Sequence, residues 1–301
     1  MDREVLVRHS TNPILTAADW PYDINAAFNP AAIIQKDGRT TLLCRVESKT
    51  GVSHIGCIHS ENGINNWQFG SKILPQGEEE EFGLEDPRVI YADEIGKYII
   101  TCTSVSSDGP GVSVFLSENL CEFNSIGRVL YPENKDAVVF PRRFQGMWIM
   151  LHRPVMGDAG HIWISKSPDL KYWGDHEVFC RSESGTHWDS SKIGASTPPI
   201  LTDEGWLMMY HSGKSTPSGH IYRCGLLLMD KENPCKILKR SRKWIFAPRN
   251  IEERVGDVGN VVFPCGWTIK EKEVRIYYGA ADSSICLATA TVDQLLNSLD
   301  N

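Results

Sequence analysis

Strand-like runs recur along this chain at a nearly constant spacing. Five segments combine β-branched, aromatic and aliphatic residues, the composition that favours β-strands. They begin at Arg39, Lys97, Met147, Gly205 and Glu273. Their starts are 58, 50, 58 and 68 residues apart. A strand-rich unit that repeats about every 50 residues is typical of a β-propeller, in which each unit forms one blade.

A proline precedes each of these runs inside a short apolar segment. The five prolines are Pro30, Pro87, Pro141, Pro198 and Pro264. They are 57, 54, 57 and 66 residues apart, which matches the first period. A proline is tolerated at the edge of a sheet, and the innermost strand of a propeller blade is such an edge. We therefore predict an all-β fold, a five-bladed β-propeller with an axial active-site pocket, formed by residues 1–301 as one domain.

Two further signals agree with this prediction. Polar turns that begin with serine and end in Trp67, Phe123 or Trp173 are typical of hairpins between the outer strands of a blade. A helical pattern is nearly absent until the segment TVDQLLNSL, residues 291–299, which predicts a helix at the end of the chain.

Charge and composition exclude several functions. A formal net charge of -7 argues against general binding to nucleic acid or to an anionic membrane. No run of about 18 apolar residues is present, and the first residues lack the apolar core of a signal peptide. The nine cysteines are scattered without metal-site spacing, as expected of reduced thiols. We expect a cytoplasmic protein that binds no metal; a homo-oligomer and a monomer both remain open.

Charged residues beside the prolines are the candidates for chemistry. Inner strands of a propeller converge on its axis, so polar groups near their prolines should share one pocket. Glu85 and Asp86 are adjacent in a strand, which predicts that only one of them faces that pocket. The structural alternative for Asp86 is an ion pair with Arg88 or with another arginine. Further candidates in these segments are Asn29, Arg45, Arg142, Arg143, Phe263 and Asp282.

Basic groups from three different repeats point to an anion. Arg153, Lys192 and His211 occur in strands or turns that the repeat would bring together. Several cations that converge in an acidic protein favour a local anion site, for which phosphate is the candidate. The alternative for a single histidine on an apolar strand is a hydrogen-bonded core residue.

The ordered motifs of the chain resemble those of glycoside hydrolase family 130, the β-mannoside phosphorylases. The resemblance extends from about residue 12 to residue 290. The motifs that carry it are FNPAAI, GLEDPRV, KDAVVFPRR, HRP, WDSSKIGASTPPI, GWLMMYHSG, HIYRCGL, GDVGNVVFPCGW and YYGAAD. It implies a five-bladed propeller with the active site in its axial cavity, in agreement with the repeat.

The resemblance also implies roles for individual residues. Asp86, the aspartate of the E-D-P-R motif, would be the catalytic acid, and it would pass its proton through the mannose 3-hydroxyl to the glycosidic oxygen. Mannose would be held by residues matching the substrate-binding positions, which are Asn29, Arg45, Arg88, Tyr222, Phe263 and Asp282. Phosphate would be held by the basic residues Arg142, Arg143, Arg153, Lys192 and His211. No cofactor is implied beyond inorganic phosphate as co-substrate.

Two other functions remain open from the sequence. A β-mannoside hydrolase on the same fold would need a second carboxylate to activate water, and Glu47, Glu183 or Asp189 are the candidates. A non-catalytic carbohydrate-binding propeller would need neither Asp86 nor the basic cluster. The partners expected in every case are small molecules, an oligosaccharide and, for the phosphorylase, phosphate. The residues do not determine the linkage or the acceptor sugar.

Overall fold

Strands account for most of the regular structure. The computed structural model describes residues 4–157, 159–217 and 219–300. Its strands are β1 (Val7–Arg8), β2 (Ala26–Ile34), β3 (Thr40–Glu47), β4 (Ser53–Ser60), β5 (Gln68–Ile73), β6 (Gly83–Ala92), β7 (Lys97–Ser106), β8 (Gly109–Ser117), β9 (Asn124–Leu130), β10 (Asn134–Val139), β11 (Trp148–Pro154), β12 (Ile162–Ser167), β13 (Gly174–Cys180), β14 (Lys192–Ala195), β15 (Ile200–Leu201), β16 (Trp206–Thr216), β17 (Gly219–Met229), β18 (Ile237–Arg240), β19 (Val262–Lys270), β20 (Glu273–Ala280) and β21 (Ser284–Thr291). Helices α1 (Ile251–Arg254) and α2 (Val292–Ser298) are short, as are the 3-10 turns Ala17–Asp19 and Glu78–Glu80. The fold is all-β, as predicted.

The strands of the described residues form five groups with antiparallel pairing. Group 1 is β2–β5, group 2 is β6–β9, group 3 is β10–β13, and group 4 is β14–β18. Group 5 consists of β19–β21 and the N-terminal strand β1, which pairs with β21. Groups 1 and 2 are joined into one sheet only through a single parallel pair, Ser53 with Gly83. The first strand of each group, β2, β6, β10, β14 or β19, lies at the edge of that group.

These edge strands come together. β2 contacts both β6 and β19, and β10 contacts β6 and β14. The outer strands are connected by the polar turns seen in the sequence: β4 pairs with β5, β8 with β9, and β12 with β13. The predicted hairpins between outer strands are thereby confirmed.

Apolar side chains are layered between neighbouring groups. Each of the five large clusters of buried residues takes its members mainly from two groups. Examples are Leu43 with Phe115 (groups 1 and 2), Ile99 with Met150 (2 and 3), Leu151 with Met208 (3 and 4), Leu226 with Ile276 (4 and 5) and Tyr277 with Leu42 (5 and 1). The last of these layers links the end of the chain to its first group.

The C-terminal helix is the one that the sequence predicts. Thr291 caps α2: its hydroxyl accepts a hydrogen bond from the Gln294 backbone N–H over 3.1 Å. The Gln294 side chain in turn accepts from the Thr291 N–H over 2.8 Å, completing a capping box. Leu295 and Leu296 are buried in the layer between groups 4 and 5. In the part of the chain described, no helix has the length and apolar character needed to cross a membrane.

Two of the five prolines are not where the repeat predicted them. Pro30, Pro87 and Pro264 lie within edge strands, as expected. Pro141 follows the end of β10, and Pro198 follows the end of β14. Both line an apolar cavity together with Ile33, Ile90 and Trp267, which come from the later parts of the other edge strands. The prolines of groups 3 and 4 are therefore displaced from the positions that carry polar residues in groups 1 and 2.

Candidate active site

The edge strands of groups 1, 2 and 3 bulge at equivalent places. Pairing shifts register between Phe28 and Ala31, between Glu85 and Arg88, and between Lys135 and Val138. The residues inside these bulges include Asn29, Asp86 and Asp136, with φ of 46°, 46° and 57°. Left-handed backbone is uncommon outside glycine, but asparagine and aspartate adopt it more readily than other residues. Each bulge therefore presents a short polar side chain where a regular strand would continue.

The bulge also changes which side chains face the same way. A regular strand would place Glu85 and Asp86 on opposite faces, as predicted from the sequence. Instead both meet the guanidinium of Arg45: Nη2 lies 2.9 Å from Glu85 Oε1, and Nη1 lies 3.5 Å from Asp86 Oδ1. Asp86 lines the pocket described next and Glu85 does not, which agrees with the prediction that only one of the two faces it.

A polar pocket lies where the bulged strands meet. Of the predicted site residues, the structure brings eight of those it describes to its walls. Its lining consists of Asn29, Arg45, Asp86, Lys135, Asp136, Arg153, His211, Tyr222, Val258, Val261, Phe263 and Asp282. The sequence reasoning missed Lys135 and Asp136. KDAVV shares with EDPRV the aspartate and the final valine at the same spacing, and that shared aspartate was the available signal.

Asp86 is held in an ionised state by its neighbours. It accepts a hydrogen bond from Asn29 Nδ2 over 2.8 Å and is only 4% exposed. Burial alone would raise its pKa, but the positive charges of Arg45, Lys135 and Arg88 outweigh burial, so that the pKa lies below the usual carboxyl value. In the free pocket Asp86 is a carboxylate, and it must gain a proton before it can serve as an acid.

The pKa of Asp282 is shifted in the opposite direction to that of Asp86. It follows β20 with a left-handed φ of 52°, next to Ala281 at 47°. Burial, together with the negative charge of Asp86, raises its pKa to about 7. Arg45 and Lys135 oppose this shift without cancelling it. Two carboxyl groups of one pocket therefore differ in charge near neutral pH, a separation that is characteristic of sites for proton transfer.

Besides Arg45 of group 1, the pocket is lined by Lys135 and Arg153 of group 3 and by His211 of group 4; these three residues form what is called here the cation side. Arg153 Nε donates to Asp136 Oδ2 over 2.7 Å, and His211 Nε2 lies 3.3 Å from the same oxygen. Burial would raise the pKa of Asp136, but Arg153, His211 and Lys135 hold it well below the usual value. For Lys135, burial would lower the pKa, yet the charges of Asp136, Asp86 and Glu85 raise it. Lys135 thus remains a cation between the two aspartates.

His211 is positioned differently from a simple phosphate ligand. Its Nδ1 lies 3.1 Å from Ser196 Oγ, while Nε2 faces Asp136. Burial lowers its pKa, so the ring is neutral near pH 7. Its ring packs against Phe263, with 4.5 Å between centroids. In this conformation both nitrogens have protein partners, and a phosphate role for His211 stays a prediction.

Lys192 and Tyr222 lie at the edge of the cation side. Lys192 Nζ is 5.5 Å from the centroid of the Tyr222 ring. Tyr222 contacts Phe263 edge to face, with 6.0 Å between centroids. Since Tyr222 and Phe263 both line the pocket, Lys192 lies next to its wall.

Arg88 lies behind the pocket wall rather than on it. It is 2% exposed, and its guanidinium donates to the backbone oxygens of Asp86, Ala195 and Ser196. These bonds connect β6 to the end of β14 and to Ser196, which follows it. Arg88 does not line the pocket, and several of its N–H donors are engaged by backbone oxygens, while its positive charge lowers the pKa of Asp86. A substrate contact of Arg88 stays a prediction.

Arg142 and Arg143 contact other parts of the protein. Arg142 donates to the Lys231 backbone oxygen over 2.9 Å and lies over the Phe144 ring. Arg143 contacts the Pro168 backbone oxygen and lies over the Trp148 ring. Neither lines the pocket, and their phosphate role stays a prediction; Pro141, which guided it, follows the end of β10. The bulge of that strand is five residues earlier, at Asp136.

The structure also places the carboxylates considered for hydrolysis. Asp189 is 1% exposed and bound by Arg240 Nη2 over 2.5 Å and by the Tyr210 hydroxyl over 2.8 Å. Glu183 pairs with the same arginine, over 3.4 Å. Both belong to an ion-pair cluster that does not line the pocket. Glu47 lies nearer, 3.3 Å from Arg45 Nη2, with its other oxygen accepting from Asn25.

No metal centre accompanies these groups in the described ranges. Nowhere within residues 4–157, 159–217 and 219–300 do three or more histidine, cysteine, aspartate or glutamate side chains cluster so as to hold a metal ion. The pocket can bind a neutral polar ligand near Asn29, Asp86 and Asp282, and an anion near Lys135 and Arg153.

Comparison with known proteins places the chain in one family. Residues 7–301 match the family model described as beta-1,4-mannooligosaccharide phosphorylase. A 1,2-beta-oligomannan phosphorylase from Thermoanaerobacter sp. (strain X514) is 35% identical over 295 residues, covering 94% of this chain and 96% of the relative. A Beta-1,4-mannooligosaccharide phosphorylase from Ruminococcus albus is 31% identical, covering 98% and 91%.

A solved structure agrees with these relatives. The Beta-1,2-Mannobiose phosphorylase from Listeria innocua, in complex with beta-1,2-mannobiose, superposes with a TM-score of 0.89 at 27% identity. The match covers 98% of this chain and 99% of that one. The family-model match over nearly the whole chain, together with these relatives, shows that the protein belongs to glycoside hydrolase family 130.

Proposed function

We propose that this protein is an enzyme that cleaves β-mannosides by phosphorolysis and releases α-mannose 1-phosphate. The observation that carries the proposal is the division of one pocket between the Asn29–Asp86 pair and a cation side that includes Lys135 and Arg153. The first matches a sugar with a glycosidic oxygen to protonate, and the second matches phosphate. The named relatives, which are phosphorylases of β-1,2- and β-1,4-mannosides, support the same reaction.

The reaction inverts the anomeric carbon. A phosphate oxygen forms a bond to that carbon on the face opposite the leaving group, while the bond to the glycosidic oxygen breaks. The leaving oxygen takes up a proton that originates from Asp86, passed through the mannose 3-hydroxyl as the family resemblance implies. The products are α-mannose 1-phosphate and a sugar shortened by one unit. Phosphate is the nucleophile, so no second carboxylate is needed to activate water.

Bound phosphate would also favour protonation of Asp86. The pKa of Asp86 is low in the free pocket because Arg45, Lys135 and Arg88 outweigh the effect of burial. A phosphate anion beside Lys135 offsets part of that positive charge and raises the pKa of Asp86. The acid therefore gains its proton most readily when the nucleophile is already bound.

The roles proposed for the other site residues follow from where they lie in the pocket. Asn29, Arg45, Tyr222, Phe263 and Asp282 line the pocket and would hold the mannosyl unit. Arg153 and Lys135 line the cation side and would hold phosphate, with Lys192 at its edge. Inorganic phosphate is the co-substrate, and the reaction as proposed uses neither a metal nor an organic cofactor.

We propose that the scaffold for this site is a five-bladed β-propeller, one domain formed by residues 1–301. Support comes from the apolar layers, which connect groups 1 to 2, 2 to 3, 3 to 4, 4 to 5 and 5 back to 1. Pairing of β1 with β21 brings the two ends of the chain into group 5, an arrangement that closes a ring. The pocket would then lie on the axis.

Product analysis tests the proposed function. The protein is incubated with β-1,2- and β-1,4-linked mannobiose, mannosyl-glucose and mannosyl-N-acetylglucosamine, each with and without inorganic phosphate. We expect α-mannose 1-phosphate from at least one disaccharide, only when phosphate is present; the disaccharide that reacts identifies linkage and acceptor. Equal release of free mannose with and without phosphate would contradict the proposal and indicate a hydrolase.

A further inference from the structure

A buried carboxylate occupies the cation side of the pocket. Asp136 has no exposed surface, and it is ionised. Only Oδ2 is well satisfied; for Oδ1 no hydrogen-bond partner is found among the described residues, and Arg88 Nη2 remains 3.8 Å away. A buried charge with an unsatisfied oxygen costs stability. A carboxylate beside a phosphate site also repels the anion, so its presence there calls for an explanation.

The contacts of Asp136 explain why a carboxylate lies there. Its Oδ2 faces both Arg153 Nε, at 2.7 Å, and His211 Nε2, at 3.3 Å. Engaging Nε fixes the plane of the Arg153 guanidinium and leaves its two terminal nitrogens for other partners. Engaging His211 Nε2 fixes the ring that packs on Phe263, another residue of the pocket wall. Asp136 thus holds the orientation of two side chains that line the pocket.

The neighbouring strand makes room for this arrangement. Gly194 in β14 faces the Asp136–His211 pair, and a Cβ atom at this position would overlap Asp136 Oδ2 and lie 2.6 Å from His211 Cε1. Any side chain at residue 194 would therefore push the carboxylate or the ring aside. Three elements, β10, β14 and β16, meet at this contact.

We propose that Asp136 is a positioning residue for the phosphate site: it sets Arg153 in the orientation needed to bind phosphate, and it fixes the His211 ring in the wall beside it. The inference rests on the proposed phosphorolysis. Asp136 does not contact the reacting atoms in this proposal. It keeps the side chains of the cation side in fixed orientations, and the gain in phosphate binding outweighs the repulsion between the Asp136 carboxylate and the phosphate anion.

The test compares two buried Asp–Arg pairs. Asp136→Asn keeps the shape of the side chain but removes the charge that holds Arg153, and we expect the phosphate KM to rise by about tenfold or more while the KM for the mannoside changes little. Asp189→Asn is the matched control, since Asp189 is equally buried and bound to Arg240 outside the pocket. It should lower the Tm and leave the phosphate KM unchanged.

A second variant keeps the test decisive if Asp136→Asn does not fold. Gly194→Ala retains the charge of Asp136 and displaces it, so it should also raise the phosphate KM. Gly225→Ala is its control, because a Cβ there would lie 2.8 Å from Trp188 Cζ2 and 2.9 Å from Tyr210 Cε1, which are not pocket residues. Its phosphate KM should equal that of the wild type.

The outcomes separate the two proposals. A wild-type enzyme that cleaves β-mannosides without phosphate would overturn the proposed function. A phosphate-dependent wild type with an unchanged or lower phosphate KM in Asp136→Asn would overturn the positioning role alone. A lower KM is the result expected if the Asp136 carboxylate does no more than repel phosphate, because its removal would then strengthen phosphate binding. If Asp136→Asn is unfolded, an unchanged phosphate KM in Gly194→Ala has the same meaning.

Discussion

Asn29 donates a hydrogen bond from Nδ2 to Oδ1 of Asp86 over 2.8 Å, and each residue lies in the bulge of its own edge strand with a φ of 46°. The two bulges belong to different groups, β2 in group 1 and β6 in group 2. The bond therefore ties together two neighbouring units of the repeat at the point where the proposed acid lies. Because the backbone has the same φ at both residues, the Asn29 amide can orient the Asp86 carboxylate across the contact between groups 1 and 2.

Asp86→Asn should abolish most of the activity without unfolding the protein. An amide of the same shape cannot provide the proton for the glycosidic oxygen, and loss of a general acid costs at least about a hundredfold in kcat. Glu85→Gln is the matched control, because Glu85 contacts the same guanidinium, Arg45 Nη2, over 2.9 Å. We expect it to keep most of its turnover. An active Asp86→Asn enzyme beside an inactive Glu85→Gln enzyme would move the acid to Glu85.

Gly279→Ala should impair the sugar side of the pocket alone. A Cβ at residue 279 would overlap the Asn29 side-chain oxygen and lie 2.8 Å from its backbone nitrogen. Displacing Asn29 breaks its bond to Asp86, and misplacing a group that orients the acid should lower kcat/KM for the mannoside by about tenfold to a hundredfold. The phosphate KM should be unaltered.

Gly174→Ala is the control for this substitution, since a Cβ at that position would meet no atom within 4 Å. Both variants are assayed with the mannoside and with phosphate varied separately. A kcat/KM for the mannoside that is equal in the two variants would contradict an orienting role for Asn29.

The proline period predicted the site only where a proline marks the bulge. Asn29 and Asp86 stand directly before Pro30 and Pro87, so they were found. Asp136 precedes Ala137, and the proline nearest to it, Pro141, led to Arg142 and Arg143 instead. A bulge depends on left-handed backbone at one residue, which aspartate can adopt without a following proline. Sequence spacing alone did not reveal this, whereas the likeness of KDAVV to EDPRV would have.

Other features depended on contacts between distant segments. The strand-rich period and the C-terminal helix could be read from local pattern, because each requires only neighbouring residues. Strand β1 has two residues and no period of its own, so its pairing with β21 could not be predicted from pattern. Likewise the residue type of His211 does not disclose that Ser196 and Asp136 engage its two nitrogens.

Asp282 should make the stability of the protein depend on pH. Its pKa is raised to about 7, so the folded protein keeps a proton between about pH 4 and pH 7 that the unfolded chain releases. The free energy of unfolding contributed by this group therefore falls as pH rises through that window and is constant above it. Asp282→Asn removes the titration, and its Tm relative to the wild type should increase by about 2 °C or more from pH 5 to pH 8.

Thermal melts at several pH values check this. Asp203→Asn, at an exposed position of group 4, is the control for replacing an aspartate by asparagine outside the pocket. A Tm difference for Asp282→Asn that is constant from pH 5 to pH 8, or that decreases, would mean that Asp282 is ionised in the folded protein throughout this range.

Lys192→Ala should weaken phosphate binding more than sugar binding. Lys192 begins β14, and its Nζ lies 5.5 Å from the centroid of the Tyr222 ring at the edge of the cation side. A charged hydrogen bond to phosphate contributes about 1.5 to 3 kcal/mol, so its loss should raise the phosphate KM by about tenfold to a hundredfold. Lys166→Ala is the control, because Lys166 lies in β12 and pairs with Asp175 away from the pocket. Titrating phosphate at saturating mannoside, alongside a thermal melt of each variant, distinguishes binding from folding. A lower Tm with an unaltered phosphate KM would show that Lys192 supports the wall formed by Tyr222 and does not bind the anion.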